Sequence, residues 1–257
     1  MSKSAVKFKA DIDKAIKSSL QSEFVKGITD KILEGFKKSL IISKGIKEAL
    51  EFIPKPQQEI IDHVVSCGWT IPSFTFSDFY SDEDILQLSK AEIDEQMYQL
   101  YMEDDKYLLL ETIDFILEEI DPKFKTIIKS CFDLFETEHY RVAIPSLIPI
   151  IEGELSNLAN FKDAFSFRPK IKKFLGYEEM EQKGVKEGGL ISIYSLAFYI
   201  DEVLFKKNDF SREFGNINRH RVLHGWDDPN NWTKIDVIRL FHTILTIQMV
   251  KYDIADE

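Results

Sequence analysis

Helix-breaking and cross-linking residues are scarce in this chain: 257 residues carry two cysteines, eight prolines and eleven glycines. Cys67 and Cys131 are too few for a disulfide framework, and two lone thiols fit a reducing cytosol, so the expected location is cytoplasmic. No apolar run approaches the ~20 residues that span a bilayer, which leaves no transmembrane segment. The first nine residues carry charges but no continuous apolar stretch, and do not read as a signal peptide. There is no internal repeat and no low-complexity tract. Arginine is absent before position 141. With few breakers and long stretches of helical spacing, the chain reads as nearly all α.

The formal net charge of −11 argues against a broad nucleic-acid-coating surface. Its distribution is uneven. Residues 1–60 hold 12 Lys against 8 acidic groups, and residues 61–121 hold 2 Lys against 16 acidic groups. Residues 122–257 are nearly balanced and hold all six arginines. If RNA binds, it binds a local patch, and the acidic middle repels other approaches.

The expected organisation is an N-terminal helical region, residues 1–121, followed by a C-terminal domain, residues 122–257, with the boundary near Pro122. In residues 1–52, apolar residues recur every four positions from Ile12 to Leu40. Such a stripe drifts ~40° per step around a helix. The segment therefore either breaks near Gly27 or Gly35 or is surrounded by partners. Its lysines make it a basic amphipathic arm for a membrane surface or another protein, or a helix packed on its own chain. Helices are expected over 57–65, 107–120 and 124–136, with 68–72 as a turn, a helix start at 81–84 and a bend or solvated face at 103–105. The C-terminal part reads as four helices. The first spans 139–155 and contains Pro145 and Pro149, which predict a kink or a late start. A second lies around 170–175, then a loop over 176–189 and an apolar third helix over 190–205. The last helix is capped by Thr233.

Between the third and last helices stands Asn218-Arg219-His220-Arg221-Val222-Leu223-His224-Gly225. Arginine offers a planar cationic fork to phosphate oxygens, and histidine is the residue type that exchanges protons near neutral pH. A bland alternative is a helix C-terminus, with cations favouring the dipole and Gly225 as its cap. Another is a metal site: His220 and His224 have i, i+4 spacing with Asp227 and Asp228 close by, though a third ligand is unclear.

This run resembles the signature of the HEPN superfamily, the all-helical domains of many prokaryotic RNA-cutting toxins and phage-defence effectors. The likeness lies in Arg219, His220 and His224, in the wider form Asn-Arg-His-x-x-Leu-His-Gly, and in the helix over 139–155 with its Ala-Ile and Ile-Glu pairs. The resemblance implies a C-terminal four-helix bundle and metal-independent endoribonuclease activity without a cofactor. Arg219 and His224 would be catalytic. His220, Asn218, Arg221, Glu152 and Arg141 would support the site or contact substrate. It further implies a homodimer with a composite active site, RNA as substrate, a role as a toxin or antiphage effector, and an antitoxin or regulatory protein as a candidate partner. On an ideal helix Arg219 and His224 point ~140° apart, so dimerisation or a frayed helix end is needed to converge them. Where some HEPN toxins carry a modifiable tyrosine this chain has Trp226, so that modification is not implied. His63, His139 and His242 read as structural or surface residues, and Trp226 and Trp232 as core anchors sooner than base-stacking platforms. A non-catalytic HEPN module binding RNA, nucleotide or a protein, and a scaffold docking through its basic arm, are the alternatives.

Overall fold

A computed structural model shows two compact units, Met1–Lys44 and Gly45–Glu257. It describes residues 53–73, 83–159, 187–206 and 215–255, all in the second unit. The expectations for the arm over 1–52, for Ser81 and Asp82, for the helix around 170–175 and for most of the 176–189 loop fall outside the described residues.

Among the described residues there are seven α-helices and no strand, as an all-α reading requires. They are α1 (Lys55–Ser66), α2 (Lys90–Glu119), α3 (Lys125–Glu136), α4 (Tyr140–Leu158), α5 (Glu187–Tyr199), α6 (Arg219–Leu223) and α7 (Lys234–Ala255). Short 3-10 turns cover Glu83–Gln87, Pro122–Phe124 and Pro229–Asn231, and a π turn, Ile200–Leu204, extends α5. No described helix is long and apolar enough to cross a membrane.

Local chemistry sets the ends. Ser89 and Glu92 form a capping box at the start of α2. The expected bend is real: Glu103, Asp104, Asp105 and Lys106 leave helical geometry inside α2, the last three with positive φ. Thr233 and Asp236 bond reciprocally at the start of α7, with Thr233 N–H donating to Asp236 Oδ2 at 2.8 Å and Asp236 N–H to Thr233 Oγ1 at 3.4 Å. Helix α4 starts at Tyr140 and runs through both Pro145 and Pro149. It is neither late nor interrupted, because Ala143, Ile144, Leu147, Ile148, Ile150, Ile151 and Leu155 are all buried and hold it against its neighbours.

Helix α7 is the centre. It packs against α4, α2 and α5, while α3 covers α4 and α1 covers α5. Helices before and after Pro122 line a single core. The Gly68–Pro72 segment, read as a turn, carries Trp69, Thr70 and Ile71 into that core. Trp69 Nε1–H donates to Asp94 (3.0 Å), and Trp69 stacks near Tyr101 at 6.5 Å. Buried polar side chains on α7 are tied in. Arg239 pairs with Asp94 and Asp236, and His242 Nδ1 accepts from Tyr101 O–H (2.6 Å) while its Nε2–H donates to the Thr70 carbonyl (2.7 Å). Both cysteines are buried and free.

Candidate functional site

The motif forms a helix of only five residues, closed at both ends by its own chemistry. Asn218 is the N-cap: its Oδ1 accepts from His220 N–H (3.1 Å) and Arg221 N–H (3.4 Å). The other end of the same amide donates to the carbonyls of Val203 (3.1 Å) and Lys206 (3.1 Å), at the π turn that ends α5. Asn218 is 0% exposed. One buried amide thus sets the start of α6 and fixes it to α5.

The C-terminal end is a Schellman reversal. His224 is the C-cap, and Gly225 takes φ +68°. Gly225 N–H donates to Val222 O (3.1 Å) and Trp226 N–H to Arg221 O (2.8 Å). Glycine suits this position because a left-handed residue with a Cβ is strained. The helix therefore stops one residue before His224, whose N–H still donates to His220 O (3.1 Å); His224 follows His220 by one turn and joins Arg219 through it. The reversal also turns Trp226 back, so that its ring lies 4.8 Å from that of His224.

Contacts between α6 and α4 complete the cluster. Glu152 Oε1 accepts from Arg219 Nε–H in an ion pair about one quarter exposed on both sides. Arg219 NH1 donates to His220 Nδ1 (3.3 Å); a guanidinium has no acceptor, so the imidazole nitrogen must be one. The Arg219 fork also lies 5.8 Å from the Phe205 ring. His220 and His224, one turn apart, stack with centroids at 6.1 Å and an interplanar angle of 4°. The result is a continuous surface row: Glu152, Arg219, His220, His224, Trp226. These contacts use two of the five guanidinium N–H groups of Arg219. His224 is exposed, and its ring nitrogens make no hydrogen bond among the described residues.

Of the residues singled out in the sequence, Glu152, Arg219, His220 and His224 are brought together, with Asn218 buried beneath them. Arg221 goes elsewhere. Its Nε–H pairs with Asp227, bracing the turn after the motif. Arg141 is not brought in: it lies over the Tyr140 ring at 5.0 Å, eleven residues before Glu152, or roughly 16 Å along α4. The metal alternative finds no cluster, since no group of three His, Cys, Asp or Glu among the described residues could hold an ion. Parallel stacked imidazoles point their lone pairs along parallel planes instead of at one centre. His63 and His242 are structural, bonding Leu88 O and Thr70 O, and His139 bonds Thr137 O beside the start of α4.

Sequence reasoning missed the use of Trp226 and Asp227. The two tryptophans separate: Trp232 is 8% exposed and belongs to the core, whereas Trp226 is 49% exposed beside His224. Asp227 stands six residues from Arg221, a spacing that helical periodicity does not pair; only the reversal at Gly225 does. Compared with protein-family models, with curated proteins and with solved structures, the chain gives no match.

Proposed function

We propose that this chain is a metal-independent endoribonuclease of the HEPN type, cutting RNA by attack of the ribose 2′-oxygen on the adjacent phosphate. The observation that carries the reading is the accessible row in which Glu152 holds Arg219, Arg219 bonds His220 and His220 stacks on His224. The N–H groups of Arg219 left over by Glu152 and His220 face charge that develops on the phosphate oxygens. His224 takes the 2′-OH proton or returns one to the departing 5′-oxygen. One proton leaves and one arrives, so two imidazoles serve a turnover best. A second copy of the chain presenting the same row supplies the other, which makes a homodimer part of the mechanism. The products are a 2′,3′-cyclic phosphate and a 5′-hydroxyl. DNA, lacking the 2′-OH, is not cut. A cytoplasmic toxin or antiphage effector, held in check by an antitoxin or regulatory protein, is the role such an activity serves.

One observation favours a second reading. Glu152 offsets part of the charge of Arg219, as suits a non-catalytic module that binds RNA, nucleotide or a protein. Incubating the purified protein with total RNA and excess chelator separates the two. The nuclease reading expects cyclic-phosphate ends, lost in both Arg219→Ala and His224→Ala. Cleavage surviving in both variants defeats the site, and intact RNA with wild-type protein favours the binding module.

A further inference from the structure

Beside the histidine row, between residues 215–217 and the turn over 226–232, lies a pocket of about 690 Å³, within the size range of small-ligand sites. Its lining includes Asn216, Arg221, Trp226, Asp228, Asn231 and Trp232. Trp226 belongs to both places, touching His224 and lining the pocket. A ligand here therefore sits next to whatever His224 acts on.

The chemistry of the lining narrows the ligand. Two further lining carboxylates, Asp227 and Asp236, are neutralised by Arg221 and Arg239. Asp228 is not in an ion pair among the described residues. Its side chain accepts one hydrogen bond, from Asn230 N–H to Oδ1 (2.9 Å), which leaves Oδ2 and the second lone pair of Oδ1 for incoming donors. Asn231 stands three residues on across the 3-10 turn, its N–H donating to Asp228 O (3.0 Å), and i, i+3 residues of such a turn eclipse on one side. The Asn231 side-chain amide makes no hydrogen bond among the described residues. Trp232, buried behind the lining, has an Nε1–H without a partner. An exposed indole, an acceptor carboxylate and an amide in one small pocket match a flat heteroaromatic ring with hydrogen-bonding edges. A phosphate or sugar alone would leave the indole unused and would meet the carboxylate.

We propose that this pocket reads a nucleobase of the RNA, guanine best, stacked at Trp226 with its edge toward Asp228 and Asn231. The inference rests on the reading that RNA is the ligand, and it assigns the selectivity. A carboxylate accepts from two neighbouring donors at once, and only guanine presents two, N1–H and the 2-amino group, beside an acceptor, O6, for the Asn231 amide. Adenine and cytosine each present a single exocyclic amine. Uracil presents one N–H between two carbonyls, which a carboxylate repels. Stacking holds any base, and the edge decides which one stays.

The test is calorimetric titration of the full chain with guanosine and uridine 5′-monophosphates, without cleavage as a readout. The guanine nucleotide is expected to bind roughly tenfold tighter, the scale of one well-made bidentate contact. Asp228→Asn keeps the cap on Asn230 but offers a mixed donor and acceptor, and brings the two nucleotides to parity. Trp226→Ala removes binding of both, while Trp226→Phe restores it in part and shows that the turn still folds. Equal affinities in wild-type protein, no binding by either, or a preference that survives Asp228→Asn each overturn the pocket. The nuclease reading fails separately: guanine-selective binding with no RNA cleavage sinks the enzyme and leaves the pocket. Arg219-dependent cleavage with no base preference sinks the pocket and leaves the enzyme.

Discussion

Glu152 on α4 holds the Nε–H of Arg219 on α6, across 67 residues of sequence. The bond holds the fork at Nε, while NH1 donates to His220 Nδ1. Glu152→Gln keeps an acceptor for Nε but removes the charge, whereas Glu152→Ala removes both. Because the pair is partly exposed, its contribution to stability is at most about 1 kcal/mol. On the proposed reading the alanine variant lowers kcat by roughly tenfold to a hundredfold through a misplaced Arg219, with little change in KM, and the glutamine variant lies between it and wild type. Melting curves close to wild type beside that loss identify a positioning role. An unchanged kcat in Glu152→Ala removes it.

Asn218 combines a helix cap with two side-chain hydrogen bonds from α6 to the end of α5. Asn218→Ala strips the cap and leaves two carbonyls, those of Val203 and Lys206, without their donor. Cap loss costs about 1 kcal/mol and the buried Val203 carbonyl about 1–3 kcal/mol, while water can reach the part-buried Lys206 carbonyl, so the expected destabilisation is about 2–4 kcal/mol by urea titration. Asn218→Asp retains the cap acceptor but sets a carboxylate oxygen against both carbonyls. It should cost more than alanine does, and the reverse order would show that the amide is not the link.

His242 is buried with its nitrogens committed to Tyr101 and Thr70, and burial pushes its pKa down to about 4 despite the favourable bond to the Thr70 carbonyl. An unfolded histidine titrates near 6.5. Between those values the unfolded chain binds the extra proton, so stability rises with pH across pH 4–6.5 and falls as acid is added. The linked contribution is on the order of 3 kcal/mol across the window. Urea midpoints measured at intervals from pH 4 to 7 should show this slope, and His242→Gln should flatten it. An identical slope in the variant would mean that other groups carry it.

Two glycines separate strain from crowding. A Cβ at Gly153 would sit 2.5 Å from Cζ of Phe124, the ring that packs beside Glu152's own turn of α4. Alanine at an ordinary helical site stabilises by up to about 1 kcal/mol. Here the displaced ring reverses that sign, and a loss of about 1–3 kcal/mol is expected, as for an overpacked core. At Gly225 a Cβ meets nothing within 4 Å, yet φ is +68°. Gly225→Ala should cost only the left-handed conformation, about 1–2 kcal/mol, and Gly225→Asn less. Thermal melts of the three variants decide it. A stabilised Gly153→Ala would place Phe124 elsewhere.

Much of the architecture was legible before any coordinates. Scarce Gly and Pro, apolar spacing, Asn218 before the motif, Gly225 after it and Thr233 before the last helix are local signals, and local chemistry honours them. The prolines of α4 did not delay its start, because a removed backbone bond is a local penalty while burial of seven apolar side chains on that helix is a tertiary gain. The turn over 68–72 was legible too, but turn chemistry around Gly68 says nothing about Trp69 lying in the core.

The sequence by itself determined that the described chain is helical, where its motif helix begins and ends, and which residue types stand in it. Those outcomes depend on neighbours within a turn or two. Only the tertiary structure decided that Glu152 reaches Arg219, that Arg141 does not, that Arg221 braces Asp227, and that Trp226 stands outside while Trp232 goes in. Each of these follows from how α4 lies against α6 and from how sharply the chain reverses at Gly225, and no spacing along the chain encodes a distance across it.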